Sequence, residues 1–414
     1  MRGRPVWAGG GALSDSPCAI LSACASCPLL PLPYEAQLAQ KQADLAAQLA
    51  AAGFDAEALL APPTPSPSPL AYRHTVKLVA RATPRGPQVG LYSPGSHEVI
   101  DTAGCAVQSA EINALLDSLR AHLRALGAPR CYDEARAEGG LRYVVVRALD
   151  ARLSGDQGLT LTLITASGDH EELRGLSEAL RAEHPALRGA LAHTNATRGN
   201  AIFDLSAPTV SLWGEGALTS TLPTPYGPLT LRASAESFSQ VNPSAAALAY
   251  GAVVEALAPR AGERALDLYC GVGSIGLWLA RAGCEVVGVE ESMSSVEDAR
   301  HNARVNGLEG RARFERGLAE EALPRLGAEW GRAGAPVGVA SLNPSRRGCQ
   351  PEVLRALCAL TPRAIAYMSC HPKTLTRDLG RLRGLGYLPA RAGLFDLFPG
   401  TPHYEVVCAL TPSA

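Results

Sequence analysis

The chain has 414 residues, of which 47% are hydrophobic, and a formal net charge of −1 at pH 7. This length is enough for two or three domains with substantial cores, and the balanced charge excludes an overall basic field, so any nucleic-acid surface must be local. The eleven cysteines do not form the dense framework of a small secreted protein, and no apolar run reaches the roughly 18 residues of a membrane span, so we predict a cytoplasmic protein without a membrane partner.

The N-terminal region contains a tight group of cysteines. Residues 1–17 are rich in glycine and small side chains, which predicts a disordered tail. Cys18, Cys24 and Cys27 follow, and such clusters in a reducing compartment usually bind metal. Zinc and an iron–sulfur cluster both accept four thiolates, so Cys105, the next cysteine in the chain, is the best candidate for the fourth. Spacing alone does not choose between these metals, and unliganded cysteines are the alternative.

The segments between this cluster and the last third of the chain predict a mixed α+β region. Helical periodicity predicts a helix from Tyr34 to Leu60, and the prolines of 61–69 predict a linker. Beyond it we predict strands at 72–80, 88–92, 98–101, 142–147 and 159–165, and helices at 108–126 and 173–183. Arg73, His74 and Lys77 share the first of these strands, where they form either a phosphate-contacting face or a merely solvated one.

In the last third of the chain, strands alternate with helices, which predicts an α/β fold with a doubly wound parallel sheet. The pattern begins with an alanine-rich helix at 244–258 and a strand–glycine loop–helix unit at 264–276. It continues with strands at 285–289, 337–342, 388–395 and 404–410. Ligands of such sheets bind outside the carboxyl ends of the strands, so the candidate functional residues are those that follow strand ends.

The glycine loop of this unit predicts a nucleotide-like ligand. Gly271, Gly273 and Gly276 let the backbone approach a ligand at a helix N-terminus. Glu290, seventeen residues after Gly273, ends the next strand, where a carboxylate can hold ribose hydroxyls. NAD and S-adenosylmethionine both carry a ribose, so this pattern leaves the cofactor open. Asp267, at the end of the first strand, is more typical of adenosylmethionine-binding proteins and favours methyl transfer.

Three further residues at strand ends are candidates for chemistry. Cys370 precedes a helix with Pro372 in its first turn, so its thiol meets the positive end of the helix dipole, which favours a nucleophilic thiolate; a plain buried cysteine is the alternative. Asn343-Pro344 ends the fourth strand, in a place that lies beside the methyl donor in many nucleobase methyltransferases, although it could be a simple turn. Glu405 enters the closing strand as either a solvated carboxylate or a positioned acid–base group.

Together these residues resemble the RNA uracil-C5 methyltransferase family. The motifs occur in the family's order over most of the chain, and the most specific is Ser-Cys370-x-Pro-x-Thr-Leu-x-Arg-Asp-Leu. The other matching positions are Cys18, Cys24, Cys27, 237–243, 267–276, Glu290, 343–348 and 395–407. The resemblance implies a class I adenosylmethionine-dependent methyltransferase fold, which is Rossmann-like with a doubly wound sheet, plus a central α+β domain and an N-terminal cysteine-cluster region.

The resemblance also implies a role for each candidate. Cys370 would be the nucleophile that attacks uracil C6, and Glu405 would be the general base that removes the C5 proton. The residues that would bind S-adenosyl-L-methionine are Gln240, Tyr269, Gly271, Gly273, Glu290 and Asn343. Those that would hold a [4Fe–4S] cluster, with zinc as the alternative occupant, are Cys18, Cys24, Cys27 and Cys105.

The run from Asn343 to Gly348 resembles the short branch of the family that makes 5-methyluridine in 23S ribosomal RNA, at a site of the uracil-747 type. Ser345 departs from the family pattern and leaves the contacts of that loop open. The alternatives are a methyltransferase of the same mechanism acting on tRNA or other rRNA, and a catalytically inactive iron–sulfur protein that binds RNA or senses redox state. We predict a monomer whose segments are a tail at 1–17, a cluster region with β elements at 18–110, a central RNA-recognition domain at 111–235 and a catalytic domain at 236–414.

Overall fold

The computed structural model describes residues 17–126, 130–134, 136, 138–168, 170–197, 201–204, 206–332 and 336–413. Apart from its last residue, the tail predicted for 1–17 lies outside the described residues. No helix in the described part of the chain is long and apolar enough to cross a membrane.

The helices and strands are numbered separately in chain order. The helices are α1 (Leu21–Cys24), α2 (Tyr34–Ala51), α3 (Ala56–Leu59), α4 (Ala110–Leu126), α5 (Ala151–Ser154), α6 (Glu171–Glu183), α7 (Pro243–Leu257), α8 (Ser274–Arg281), α9 (Met293–Val305), α10 (Ala319–Arg332), α11 (Pro351–Ala359) and α12 (Pro372–Gly384). The strands are β1 (Thr75–Thr83), β2 (Gly86–Tyr92), β3 (Val99–Asp101), β4 (Leu141–Ala148), β5 (Leu159–Thr165), β6 (Leu187–Thr194), β7 (Thr209–Gly214), β8 (Ala217–Leu222), β9 (Leu229–Ser234), β10 (Arg264–Leu268), β11 (Glu285–Glu290), β12 (Ala312–Arg316), β13 (Val337–Leu342), β14 (Ala364–Ser369), β15 (Tyr387–Phe395) and β16 (Glu405–Pro412).

The C-terminal sheet has seven strands in the described residues, in the order β12-β11-β10-β13-β14-β16-β15. The strands from β12 to β14 are parallel, whereas β16 and β15 pair antiparallel at one end. Apolar side chains on the two faces form separate cores, one with α7, α8 and α9 and the other with α10, α11 and α12. A largely parallel sheet needs cover on both faces, which these helices provide. The predicted Rossmann-like methyltransferase fold is confirmed.

The central sheet also has seven strands in the described residues, in the order β3-β2-β1-β4-β5-β6-β7. Its neighbours pair antiparallel except for β5 and β6. Alternate residues of β4 face opposite sides, so Val144 and Val146 pack with α4 and α6 while Tyr143 and Val145 belong to a second, smaller cluster. The predicted boundary at residue 110 runs through this sheet, because β1 pairs with β4. The division of the chain into domains stays a prediction.

The N-terminal segment differs from the sequence-based expectation in two ways. The helix predicted from Tyr34 to Leu60 is two helices, because α2 ends at Ala51 and α3 starts only at Ala56. The predicted linker at 61–69 is not free of the fold, since Ala61 and Thr64 donate backbone hydrogen bonds to carbonyls of β15 at 2.9 and 2.7 Å. The core of the C-terminal sheet also includes buried leucines of α2, so this helix packs on the predicted catalytic domain.

The hairpin β8–β9 docks on α9 through polar side chains one helical turn apart. The backbone amides of Ser234, Arg232 and Thr230 donate to side-chain oxygens of Asp298, Asn302 and Asn306 at 2.7, 2.7 and 2.9 Å, respectively. The helical repeat of α9 matches the spacing of alternate residues of β9, so these side chains accept hydrogen bonds from the backbone amides at the edge of the strand. The sequence analysis did not predict β9.

Candidate active site

Cys370 and Glu405 lie at the ends of two adjacent strands. Cys370 directly follows β14, and Glu405 is the first residue of β16. These strands are antiparallel, and Ser369 pairs with Val406, so the next residues outward along the two strands are Cys370 and Glu405. The register therefore sets a thiol opposite a carboxyl group, although the two are far apart in sequence.

The ionisation of both groups depends on burial and on Arg346. Burial raises the pKa of Glu405 to about 8, and the nearby Arg346 guanidinium lowers it only in part. Burial and the Glu405 charge raise the pKa of the Cys370 thiol, while the charge and hydrogen bond of Arg346 lower it. The helix dipole was expected to favour the thiolate, but burial outweighs the groups that stabilise it. Arg346 is exposed, which leaves it able to reach a ligand as well.

The glycine loop after β10 is held by two carboxylates. Glu290 accepts the Gly271 amide through Oε2 and the Ser292 amide through Oε1, both at 3.0 Å. Asp267 is fully buried and accepts the Gly276 amide at 2.7 Å and the Ser341 hydroxyl at 2.6 Å. Each Glu290 oxygen keeps a second lone pair for another donor. Asp267 accepts the same number of hydrogen bonds but is fully buried, so its role is to fix the start of α8.

The conformation of this loop leaves space for a ligand. Gly271 and Gly273 have φ values of 54° and 86°, in the left-handed region that favours glycine. A Cβ added at Gly271 would meet no atom within 4 Å, whereas one at Gly273 would lie 2.8 Å from Phe314. Gly271 therefore borders open space, and Gly273 is required by close packing. Tyr269, two residues before Gly271, is half-buried and has a positive φ of 61°.

Tyr250 on α7 connects the two halves of the site. Burial and the charges of Glu405 and Asp267 raise the pKa of Tyr250, while hydrogen bonds involving Ser274 and Gln240 lower it. The predicted cofactor residue Gln240 thus lies beside the helix that borders Glu405. Tyr250 was not predicted as a site residue from the sequence. The signal that could have indicated it is a single tyrosine in an alanine-rich helix.

Asn343 lies at the same edge of the sheet as the glycine loop. It directly follows β13, is half-buried, and its backbone amide donates to the Leu268 carbonyl at 3.2 Å. The next residue, Pro344, is buried, and Ser345 is exposed. Because β10 and β13 are adjacent parallel strands, the loop residues after both strands face one ligand space.

The four N-terminal cysteine candidates are electrostatically coupled. Burial, together with the thiols of Cys105, Cys24 and Cys18, raises the pKa of Cys27 to about 12, against the charge of Arg73, which lowers it. Each of the four thiols is half-buried. Among the described residues, however, no group of three or more His, Cys, Asp or Glu side chains is arranged to hold a metal ion.

The three basic residues predicted to share one strand face do not do so. His74 is buried, with Nδ1 2.8 Å from the Tyr72 carbonyl and Nε2 facing Asp150 at 3.9 Å. Arg73 lies beside the cysteines, and only Lys77 is exposed, with its ammonium 5.7 Å from the Phe203 ring centroid. These residues therefore form no joint phosphate-contacting face.

Comparison with known proteins finds similarity to this chain in both sequence and structure. A family model described as a methyltransferase domain matches residues 259–329. The chain is 33% identical over 403 residues to an uncharacterized RNA methyltransferase of Geobacter sulfurreducens, covering 96% of this chain and 77% of the relative. It is 31% identical over 396 residues to an uncharacterized RNA methyltransferase of Halalkalibacterium halodurans, covering 96% of this chain and 83% of the relative.

Among solved structures, the fold is similar to that of a Pyrococcus abyssi tRNA (uracil-54, C5)-methyltransferase in complex with S-adenosyl-L-homocysteine. The TM-score is 0.73 at 24% sequence identity, and the match covers 93% of this chain and 85% of the other. This match includes both sheets, so their combination in one chain is an arrangement also seen in that structure.

Proposed function

The chain belongs to the RNA methyltransferase family, and from that premise we propose that it methylates C5 of a uridine in RNA through a covalent intermediate. The observation that carries this proposal is the pairing of β14 with β16, which brings Cys370 opposite Glu405. C5 methylation needs a nucleophile and a base on the same uracil ring, since C5 becomes nucleophilic only after C6 is attacked. The strand register supplies both groups.

In the proposed reaction, the Cys370 thiolate forms a bond to C6 and the displaced electron pair makes C5 nucleophilic. Bound S-adenosylmethionine supplies the methyl group, which C5 takes from the sulfonium, leaving S-adenosylhomocysteine. The Glu405 carboxylate then takes the C5 proton, and the electrons of that C–H bond restore the ring double bond and expel the thiolate. A pKa near 8 suits this base, because its carboxylate is both available and basic near neutral pH.

Arg346 acts on both catalytic groups in this proposal. Its positive charge favours the thiolate of Cys370 and the carboxylate of Glu405, the two forms that react. Because it is exposed, the guanidinium is also available to an incoming uracil or phosphate.

The glycine loop fits S-adenosylmethionine. Gly271 borders open space, and Glu290 has lone pairs available to ribose hydroxyls. Gln240, Tyr269 and Asn343 complete the set that we propose to hold the cofactor. Tyr250 hydrogen-bonds with Gln240 of this set and feels the charge of Glu405, so it lies between the two.

For the cysteines we propose a [4Fe–4S] cluster on Cys18, Cys24, Cys27 and Cys105. The mutual electrostatic effect of the four thiols supports this, because it indicates that they lie near one another, and an iron–sulfur cluster accepts four thiolates. The cluster would stabilise this segment or orient RNA, since methyl transfer needs no electrons. Cys24→Ser with unchanged stability and unchanged activity would contradict that role.

We propose 23S ribosomal RNA as the substrate, at a site of the uracil-747 type, because the Asn343–Gly348 run resembles the branch that acts there. A tRNA substrate is the second candidate, favoured by the fold shared with a tRNA (uracil-54, C5)-methyltransferase. Incorporation of labelled methyl groups into the two RNAs, measured side by side with the same enzyme, discriminates between them. Substantially faster incorporation into tRNA would overturn the ribosomal assignment.

The reaction class is tested with 5-fluorouracil-substituted RNA and methyl-labelled S-adenosylmethionine on a denaturing gel. Fluorine at C5 cannot leave as a proton, so the proposed reaction stops with protein and RNA covalently joined. We expect a labelled adduct that is absent in Cys370→Ala and retained in Cys358→Ala, a matched change of a partly buried cysteine on α11. If cluster-replete protein formed no adduct with 23S RNA or tRNA, an RNA-binding or redox-sensing protein without turnover would be the better assignment.

A further inference from the structure

One face of helix α2 carries three polar side chains directed at the loop that precedes Glu405. Gln37, Lys41 and Asp44 are spaced by four and three residues, which sets them on one side of a helix. Each of the three has a hydrogen-bond partner within residues 396–404, the segment between β15 and β16. The sequence separation between partners is more than 350 residues in each pair.

Lys41 makes the central contact. Its ammonium donates to Asp396 Oδ1 at 2.6 Å and to the Phe398 carbonyl at 3.1 Å, and both charged side chains are almost completely buried, at 1% and 0% exposure. Asp396 Oδ1 also accepts the Phe398 amide at 3.1 Å. A buried ion pair contributes little net stability, so the effect of this pair lies in the geometry that Lys41 imposes through its bonds to Asp396 and to the Phe398 carbonyl.

Gln37 and Asp44 hold the same segment at two further points. Gln37 Oε1 accepts the Gly400 amide at 2.7 Å, and Asp44 Oδ2 accepts the hydroxyl of Tyr404 at 2.6 Å. Tyr404 is the residue before Glu405, so a displacement at its ring passes to the carboxyl group through one peptide unit. The Leu29 amide, in the cysteine-bearing segment, donates to the Gly400 carbonyl at 2.9 Å.

We propose that Gln37, Lys41 and Asp44 are positioning residues for the general base: they hold the 396–404 segment so that Glu405 faces the C5 proton. A loop between two strands has many accessible conformations, and these contacts restrict it to one. The inference rests on the proposed function, and it extends the reaction to residues that contact neither uracil nor cofactor. Proton removal, rather than nucleophilic attack, is the step that depends on them.

The test measures the two halves of the reaction separately. On ordinary RNA, the methylated covalent adduct is quenched at timed intervals, and its decay reports proton removal by Glu405. On 5-fluorouracil RNA, the rate of adduct formation reports attack and methyl transfer only. We expect Lys41→Met to slow the decay by roughly 10- to 100-fold and to leave the formation rate within about twofold, since a small displacement of a catalytic group costs about this much.

Further variants keep the test decisive if Lys41→Met fails to fold. Lys41→Met/Asp396→Asn removes both buried charges together. Asp44→Ala removes only the contact with Tyr404, which is made by the exposed residue of the three. Both variants should slow adduct decay, and Asp44→Ala should slow it less. Lys41→Arg should restore much of the decay rate. Leu49→Ala is the matched control, because it destabilises the same helix through a core contact and removes no hydrogen bond to the 396–404 segment; its adduct should decay at the normal rate.

The outcomes separate this inference from the function on which it rests. If the wild-type protein formed no adduct with fluorinated RNA, the proposed function and the inference would both be wrong. If the wild-type adduct formed but a folded Lys41→Met/Asp396→Asn protein resolved it at the normal rate, the positioning role alone would be wrong. A formation rate reduced by the same factor as decay would also overturn it, because that result indicates general damage to the site.

Discussion

The two halves of the candidate active site are held together in different ways. The cofactor half depends on contacts between neighbouring parts of the chain, such as Glu290 with the Gly271 amide, nineteen residues apart. The base half depends on distant ones, such as Lys41 with Asp396, 355 residues apart. Changes in the first half should therefore affect cofactor binding, and changes in the second half should affect the chemical step.

Among the changes predicted from this comparison, Glu405→Gln should have the largest effect on turnover. Removing the base should lower turnover by roughly 10²- to 10⁴-fold, while attack by Cys370 and methyl transfer continue. Methylated protein–RNA adduct should therefore accumulate with ordinary uracil RNA, which a denaturing gel detects. Glu309→Gln, an exposed change elsewhere, should turn over normally. Loss of turnover without accumulation of adduct would show that Glu405 acts before methyl transfer.

Glu290→Gln should affect the cofactor half instead. The loss of a charged acceptor for ribose hydroxyls should raise the KM for S-adenosylmethionine by roughly tenfold, with kcat little changed. Titration calorimetry with S-adenosylhomocysteine should show a similar loss of affinity. Glu291→Gln, the exposed neighbouring residue, provides the control. A variant with normal KM and reduced kcat would contradict the division between the two halves.

Arg346→Met should shift the pH dependence of the base half. Arg346 lowers the pKa values of both Cys370 and Glu405, so without it both groups lose their protons at higher pH. Because both react in their deprotonated forms, the rate should fall most near neutral pH and recover towards alkaline pH. Single-turnover rates at saturating RNA measure this, with Arg347→Met as the exposed control. An equal loss at every pH would mean that Arg346 acts only on substrate binding.

The last predicted effect is on stability and leaves the chemistry of the site aside. The folded-state pKa of Glu405, about 8, is above its ordinary value of 4.5, so between these values the folded protein binds the proton more tightly than the unfolded chain. Stability from this group is therefore present below pH 4.5 and is lost as pH rises through 8. Thermal unfolding should show the advantage of Glu405→Gln over wild type growing from pH 5 to pH 9. A constant difference would indicate that Glu405 ionises normally.

Much of the cofactor half was predictable because its signals are local. The glycine loop and the carboxylate at the end of β11 can each be recognised within about 20 residues, and the strand bounds at Val337–Leu342 were predicted as observed. The pairing of Cys370 with Glu405 was expected only from the family resemblance. No pattern within either motif specifies that their strands are adjacent and antiparallel.

The sequence by itself determined the chemistry of the strand ends and the fold class, because side-chain periodicity and glycine placement act over short distances. The tertiary structure alone decided that Arg346 lies beside both Cys370 and Glu405 and that α2 holds the 396–404 segment. It also decided that the Cys370 pKa is raised rather than lowered. The physical reason is that burial and long-range contacts depend on which elements pack together, and that packing is a property of the whole chain.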